Sequence, residues 1–365
     1  MGIELPLEFA PPAAGPSPSV LDADGDLAGW LAGRSEPPHR IRQIHRQILA
    51  NRAESFDQMT DLPQRLRHDL AAQWSPLAAT VERRLHSRDG TIKLLLRLHD
   101  RRLIECVMIP KDGRRTACIS TQVGCGMGCV FCASGIDGVA RNLTAGEIVE
   151  QLVRLRNALP KDERLTHVVV MGMGEPLANL DALLAALAIV GDKNALAIGQ
   201  RHVTISTVGL PERMRRLADL GKQYHLAVSL HAPNDALRNR IVPTNSHMGL
   251  PAILAAADYF QARTGRQVTY EYILLGGLND GPAESRQLAE LLRGRQAHVN
   301  LIPFNRVEGL PYQPPTAEAQ AAFAARLRQA GISVKIRQRR GADIDAACGQ
   351  LRRQAERETS SAASG

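Results

Sequence analysis

From Ala117 onward the chain switches back and forth between two hydrophobic periods. Short runs that are apolar at every second position, or apolar throughout, occur at Ala117–Gln122, Thr166–Met171, His202–Thr207, His225–Leu230, Val268–Leu275, His298–Pro303 and Ser333–Arg337. These read as strands. Between them, the segments near 144–158, 178–190, 211–220, 250–263, 284–293 and 316–330 carry apolar residues at helical spacing. Thr144 followed by Glu147 makes a capping box for the first of these helices. Repeated strand–helix units predict an α/β fold, with a parallel sheet covered by helices and either open or closed. In both forms a ligand site is expected at the C-terminal ends of the strands.

The pattern upstream is different. Ile41, Ile44 and Ile48 fall at helical spacing with Arg40, Arg42 and Arg46 on other faces, and Pro63 opens a second basic helix carrying Leu66 and Leu70. Thr91 to His99 alternates apolar and polar positions between the turn signals Asp89-Gly90 and His99-Asp100, which predicts a strand. Leu103 to Ile109 is a second strand, apolar except for Glu105. Residues 39–110 therefore form a small helical and β accessory domain ahead of the α/β unit at 111–345. Residues 1–38, rich in Pro, Ala, Gly and Asp, are expected to be a disordered lead, with at most a short helix from Leu21 to Leu31. Residues 346–365 form a C-terminal segment with one cysteine and a frayed end.

Composition narrows the class. The chain of 365 residues has a formal net charge of +8, which favours an anionic partner such as nucleic acid. The charge is unevenly placed: residues 1–38 hold one Arg against six acids, whereas residues 39–103 hold thirteen Lys and Arg against seven acids. Few aromatic residues precede Phe131, so a base-stacking platform in the N-terminal part has little support. No apolar run is long enough to span a bilayer, and the acidic N-terminus does not resemble a secretory signal. Six cysteines in such a chain do not make a disulfide framework; clustered thiols predict a reducing cytoplasm and a metal site.

Three of those cysteines lie in Cys125-Gly-Met-Gly-Cys129-Val-Phe-Cys132. A structural zinc would need a fourth ligand nearby, and only Cys118 stands close in sequence. Three thiolates can instead hold three corners of a [4Fe–4S] cluster and leave one iron open for a small molecule. Gly124, Gly126 and Gly128 allow the loop to fold back so that the sulfurs face one centre. Further motifs fall after successive strands: Gly172-Met-Gly-Glu-Pro176, Ser206-Thr-Val-Gly209, Ser229-Leu-His231 and Asn305. Each alone is commonly a turn or a satisfied core residue. Their repeated position on one rim is the stronger signal.

Taken together, residues 39 to 351 resemble the RlmN/Cfr family of radical S-adenosylmethionine (SAM) RNA methyltransferases. The resemblance rests on Arg115 to Cys125, the cysteine loop, Arg141-Asn-Leu-Thr144, Met171-Gly-Met-Gly-Glu-Pro176, Ser229 to Asp235, Leu301-Ile-Pro-Phe-Asn305 and Gly341 to Leu351. It implies a partial (β/α)6 radical-SAM barrel behind an RNA-binding domain, and carbon-2 methylation of adenosine in 23S rRNA and tRNA. It further implies one [4Fe–4S] cluster on Cys125, Cys129 and Cys132. SAM, two molecules per turnover, is expected against Gly174, Glu175, Ser206, Ser229, Leu230, His231 and Asn305. By the same resemblance Cys348 carries the methyl group, Cys118 resolves the covalent RNA adduct through a transient disulfide, and Glu105 accepts the ring proton. A buried carboxylate at 105 would suit a base; an exposed edge-strand Glu would not. An electron donor such as flavodoxin, a monomeric state and a cytoplasmic location complete the expectation.

Lys335, Arg337, Arg339 and Arg340, with Arg65 and Arg67, are the expected phosphate contacts. Carbon-8 methylation by the resistance branch, and a non-catalytic RNA-binding protein with a structural metal loop, are the competing readings. The chain departs from the family pattern where Trp is common near Gln43-Ile-His45, in Ala133-Ser-Gly after the last loop cysteine, and in its acidic lead.

Overall fold

The computed structural model describes residues 18–22, 24–307, 309–338, 341–344 and 351–355. Helices α1 (Asp24–Ala32), α2 (His39–Leu49) and α3 (Gln64–Gln73) open the chain. Strands β1 (Thr80–His86), β2 (Ile92–Arg97), β3 (Leu103–Lys111) and β4 (Arg114–Cys118) follow as an antiparallel meander. A two-stranded ribbon, β5 (Gln122–Gly124) with β6 (Val139–Asn142), brackets the cysteine loop. The chain then runs through α4 (Ala145–Asn157), β7 (His167–Val170), α5 (Leu180–Gly191), β8 (Val203–Thr207), α6 (Pro211–Asp219) and β9 (His225–Ser229). It continues through α7 (Asp235–Ile241), α8 (Leu250–Thr264), β10 (Val268–Leu274), α9 (Pro282–Leu291), β11 (Ala297–Pro303), α10 (Ala317–Gln329) and β12 (Ser333–Ile336).

Apart from the ribbon, the strands join one ten-stranded sheet in the order β1-β2-β3-β4-β7-β8-β9-β10-β11-β12. From β4 to β12 every neighbouring pair is parallel. The accessory strands are thus not a separate sheet; they extend the barrel sheet through the β3–β4 pairing. The sheet curls until Lys335 of β12 lies against Lys111 and near Arg114, so the two sides of the parallel run approach each other. Among the described residues no ladder joins β12 to β4, which leaves the barrel partial.

The strand alternation explains where the core sits. Val203 and Ile205, Leu226 and Val228, Tyr270 and Tyr272, and Val299 and Leu301 face the helices and belong to one continuous apolar core. The intervening positions are Thr204 and Ser206, Ser229, Glu271, and His298 and Asn300. Parallel strands covered on both faces are usually apolar on both. A polar inner face marks a lumen that a polar ligand can occupy.

Residues 18–38 depart from the expected disordered lead. Ser19 bridges to Ser75, with Val20 N donating to Ser75 O at 3.0 Å and Ser75 N to Pro18 O at 3.0 Å. Val20, Leu27 and Leu31 are buried, and the Trp30 ring meets Trp74 edge-on at 6.5 Å. Asp22 accepts the Gly146 N–H at 2.6 Å and so helps to cap α4. Proline-rich composition concealed this because the surface that receives Leu27 and Leu31 is supplied by residues far along the chain. Residues 1–17 lie outside the described residues.

One buried carboxylate couples the accessory part to the barrel. Glu150 on α4 accepts the N–H groups of Ala78 and Ala79, each at 2.9 Å, and pairs with Arg154 at 3.2 Å. Burial nevertheless pushes its carboxyl from 4.5 up to about 7. A carboxyl raised in the folded state holds its proton more tightly folded than unfolded. Its favourable contribution is full below pH 4.5 and is lost as pH climbs to about 7. Glu150→Gln is expected to remove a fall in stability of about 3 kcal/mol across that window, read from urea unfolding at a series of pH values. An unchanged pH slope would show that Glu150 is not its source.

Candidate active site

The cysteine loop is held at its two ends. Cys125 N donates to Gly138 O at 2.8 Å, and Val130 N donates to Ile241 O at 3.1 Å. Gly124 has φ +80, and a Cβ there would fall 2.1 Å from Gly138 O, so only glycine allows the ribbon to close. Cys125, Cys129 and Cys132 are partly buried. Burial pushes Cys125 up to about 12 and Cys129 well above its ordinary value, with the neighbouring thiols adding to both. Arg238 opposes this at Cys129. The loop therefore needs a cationic centre to hold three thiolates. Three thiolates can each ligate a different iron of one cube and leave the fourth iron open, so the donor set suits an iron–sulfur cluster.

The next strand ends form the rest of the rim. A Cβ at Gly172 would lie 2.6 Å from Ile119 O, and Gly174 has φ +103 with Gln122 Cβ 2.7 Å from where its own would be. Both glycines are forced by close backbone approach. Glu175 is fully enclosed: its carboxylate accepts Leu177 N at 3.0 Å and Val208 N at 2.8 Å, and burial pushes it up to about 6. Both oxygens thus fasten the β7 and β8 ends together, and only their remaining lone pairs can face a ligand. Ser206 and Ser229 bring their hydroxyls within 3.4 Å of each other on the inner face. Asn305 is half-buried just past β11.

His231 sits at φ +62 with its ring edge-on to Phe131 of the cysteine loop, 4.9 Å between centroids. Its Nδ1 accepts Ile273 N at 3.1 Å, and burial together with Arg238 pushes it down to about 3. It is therefore a neutral imidazole with Nε2 as the protonated nitrogen, a donor rather than a cation. Leu230 lies between Ser229 and His231 at the end of β9. Its side chain belongs to the helix-facing core, its N–H donates to Glu271 O and its carbonyl accepts Arg238 Nε.

Three residues of this rim escaped the sequence reading. Arg238 is fully buried and donates to the carbonyls of Val208, Ser229 and Leu230 and to Asn245 Oδ1. Glu271 is buried on the inner face, raised by burial, and accepts Asn300 Nδ2 at 2.9 Å. The signal for Glu271 and Asn300 was present: each is the polar member of an alternating strand that sits next to the Ser229 layer.

Glu105 and Cys118 lie on one face of the sheet. Cys118 is in register with Val107, and Glu105 stands two residues further along β3, about 7 Å away along the strand. Ser120 Oγ donates to Glu105 O at 2.7 Å and accepts Met173 N, which ties this corner to the β7 end and the cysteine rim. Glu105 is 1% exposed on an interior strand, not an edge. It pairs with Lys93 Nζ at 2.9 Å, and Arg352 N donates to its Oε1 at 2.6 Å. Leu351 and Ala355 pack on Leu95 and Leu103 of the same face, and Arg352 reaches Asp137 beyond the cysteine loop at 2.8 Å. Further back, Asp343 accepts from Ser87 and Arg88, and Gly341 N donates to Asp89. The described C-terminal residues thus cross the open side of the barrel and seat on the Glu105 face. Cys348, Arg339 and Arg340 lie outside the described residues.

The expected phosphate contacts divide. Arg65 is exposed, but Arg67 is committed to Asp57 O at 2.9 Å. Arg337 is half-buried and its charge acts on Glu271. Lys335 is held below its ordinary value by Lys111 and Arg114, a crowding of cations that a phosphate would relieve. Cys106 is a buried core residue.

A partial barrel with three loop thiols at its C-terminal rim defines the radical SAM class of enzyme. The Radical SAM superfamily model matches residues 119–289, and that of the ribosomal RNA large subunit methyltransferase N-terminal domain matches residues 21–75. The chain is 52% identical over 327 residues to the "Probable dual-specificity RNA methyltransferase RlmN" of Rhodopirellula baltica, covering 90% of this chain and 88% of that one. It is 46% identical to the protein of the same name from Symbiobacterium thermophilum, covering 97% of both. The crystal structure of a radical SAM methyltransferase from Sphaerobacter thermophilus superposes with a TM-score of 0.87 at 42% identity, covering 91% of this chain and 98% of that one. The chain belongs to the RlmN family of radical SAM RNA methyltransferases, which implies a [4Fe–4S] cluster and SAM. No described helix is long and apolar enough to cross a membrane.

Arg238→Met is expected to leave those carbonyls and Asn245 short of a donor. A loss of about 3 kcal/mol or more in urea unfolding of the apoprotein should follow, together with reduced iron and sulfide after reconstitution. Iron content and stability equal to the parent's would refute its organising role.

Proposed function

We propose that the protein methylates carbon 2 of adenosine in 23S rRNA, at the peptidyl-transferase centre, and in tRNA, 3′ of the anticodon. The relatives' name, with its two specificities, supports two RNA substrates. The observation that carries the mechanism is the sharing of one buried face by Glu105 and Cys118, with residues 351–355 seated on it three residues beyond Cys348.

Cys125, Cys129 and Cys132 would hold the cluster. Gly174, Glu175, Ser206, Ser229, His231 and Asn305 would hold SAM, with Glu271 and Asn300 extending the same polar layer. Together the two groups supply a reductively generated carbon radical, fed by a donor such as flavodoxin, and two SAM are used per turnover. Cys348 accepts the methyl group on sulfur; that S-methyl carbon then gives up one hydrogen atom to the radical and bonds to the ring carbon, which ties the RNA to the Cys348 sulfur. An aromatic carbon is too poor a nucleophile to take a methyl group from SAM directly, which is why a carrier thiol is needed. Glu105 takes the ring proton. Cys118 attacks the Cys348 sulfur: a sulfur–sulfur bond forms as the carbon–sulfur bond breaks, freeing the RNA and leaving a disulfide. Phosphate contacts around Lys111, Arg114 and Lys335 position the RNA without reading its sequence. The protein acts as a cytoplasmic monomer.

The first test is nucleoside mass spectrometry after anaerobic reaction with SAM, reductant and unmodified 23S rRNA or tRNA. 2-Methyladenosine in both RNAs is expected; 8-methyladenosine would overturn the assignment, and product in one RNA alone would remove the dual specificity. Cys348→Ala is expected to abolish methylation. Cys118→Ala is expected to leave RNA crosslinked to protein on denaturing gels, and free methylated RNA at the parent rate would sink its role.

A further inference from the structure

We infer that Lys93 is a positioning residue for removal of the ring proton: its buried ammonium holds one oxygen of the Glu105 carboxylate and keeps the group aimed at the base. The inference rests on the proposed role of Glu105 as proton acceptor. Both side chains are 0% exposed, and Nζ lies 2.9 Å from Oε2. The other oxygen, Oε1, accepts Arg352 N from the C-terminal segment at 2.6 Å. Two elements far apart in sequence therefore fix the two oxygens of one carboxylate.

Packing alone does not call for a lysine here. The neighbours on this face, Leu95, Leu103 and Leu351, are apolar, and an apolar residue of similar length would fill the space without the expense of burying an ammonium. The demand comes from chemistry. A buried carboxylate that is to meet one ring hydrogen has to be held in one orientation, and a fixed ammonium beside it does so. With Lys93 beside it, the resting pair is neutral overall and the carboxylate is free to accept. When the ring proton moves, the carbon–hydrogen bond breaks with its electron pair left in the ring, and an oxygen–hydrogen bond forms on Glu105. Lys93 keeps its own protons, so the pair gains one positive charge. Among the described residues, the charged and titratable groups around Glu105 include Lys93 from β2, Cys118 from β4, and Arg352 with Asp137 and Arg353 near it. Its own strand offers none between Leu103 and Pro110 apart from the thiol of Cys106, which points into the opposite core.

The test uses the reconstituted holoenzyme, loaded with methyl on Cys348 and then mixed with RNA for a single turnover. Methyl loading, read by intact-protein mass, reports a folded protein with a working cluster. Lys93→Met and Lys93→Gln are both expected to load. In the RNA step each should be slower by about 10²-fold at neutral pH. Lys93→Arg should recover much of the rate. Parent-like rate in either uncharged variant would overturn the inference, and so would equal loss of loading and RNA steps in both, since that assigns Lys93 to folding. Glu105→Gln separates the two readings. If it completes the RNA step at the parent rate, the assignment of Glu105 fails; if it does not, while Lys93→Met behaves as the parent, only the role of Lys93 fails.

Discussion

A guanidinium enclosed at the mouth of the barrel is the interaction on which the site depends. Among the described residues no carboxylate bonds Arg238. Its partners are the carbonyls that end β8 and β9 and the amide of Asn245. Strand ends in a parallel sheet leave carbonyls without ladder partners, and burying them unmet would be costly. One planar donor with five N–H groups meets several at once, and its positive charge faces Cys129. The rim and the thiol loop are therefore fixed by the same side chain. The apolar patch beside it, with Val208, Ile273, Phe304 and Phe131, keeps water away from that charge.

The second constraint is closure. A partial barrel has an open side, and the described C-terminal residues seat on the inner face there. Asp22 caps α4 from the N-terminal side, while Asp343 and Arg352 pin the C-terminal residues to the β1–β2 turn, to Glu105 and to the loop beyond Cys132. The site thus draws on the rim loop, the end of β4 and the described C-terminal residues, and only the curl of the sheet brings those parts of the chain together.

Much of this was legible in the sequence because it depends on local physics. The period of two in Val203-Thr-Ile-Ser-Thr207 has to be a strand, and the capping box at Thr144 and Glu147 forms as read, with Glu147 N donating to Thr144 Oγ1 at 3.1 Å. The thiol spacing and its glycines describe a tight loop wherever they occur. Other features were hidden because their partners are distant. Leu27 and Leu31 look like isolated apolar residues in a proline-rich lead until α2 and α3 are placed beside them. Lys93 reads as the exposed face of an alternating strand; the C-terminal segment buries it. Leu230 reads as part of a binding motif, yet the pleat turns its side chain into the core.

The sequence by itself determined most of the alternating strands and helices beyond Thr144, the thiol loop and the chemistry of its donor atoms, since spacing and backbone freedom are properties of neighbouring residues; the ribbon around the loop and the short helix α7 went unread. The tertiary structure alone decided which charges are buried and what they meet. That outcome follows from how a ten-stranded sheet curls and what covers its open side, and electrostatic pairing across such distances in sequence leaves no local pattern to read.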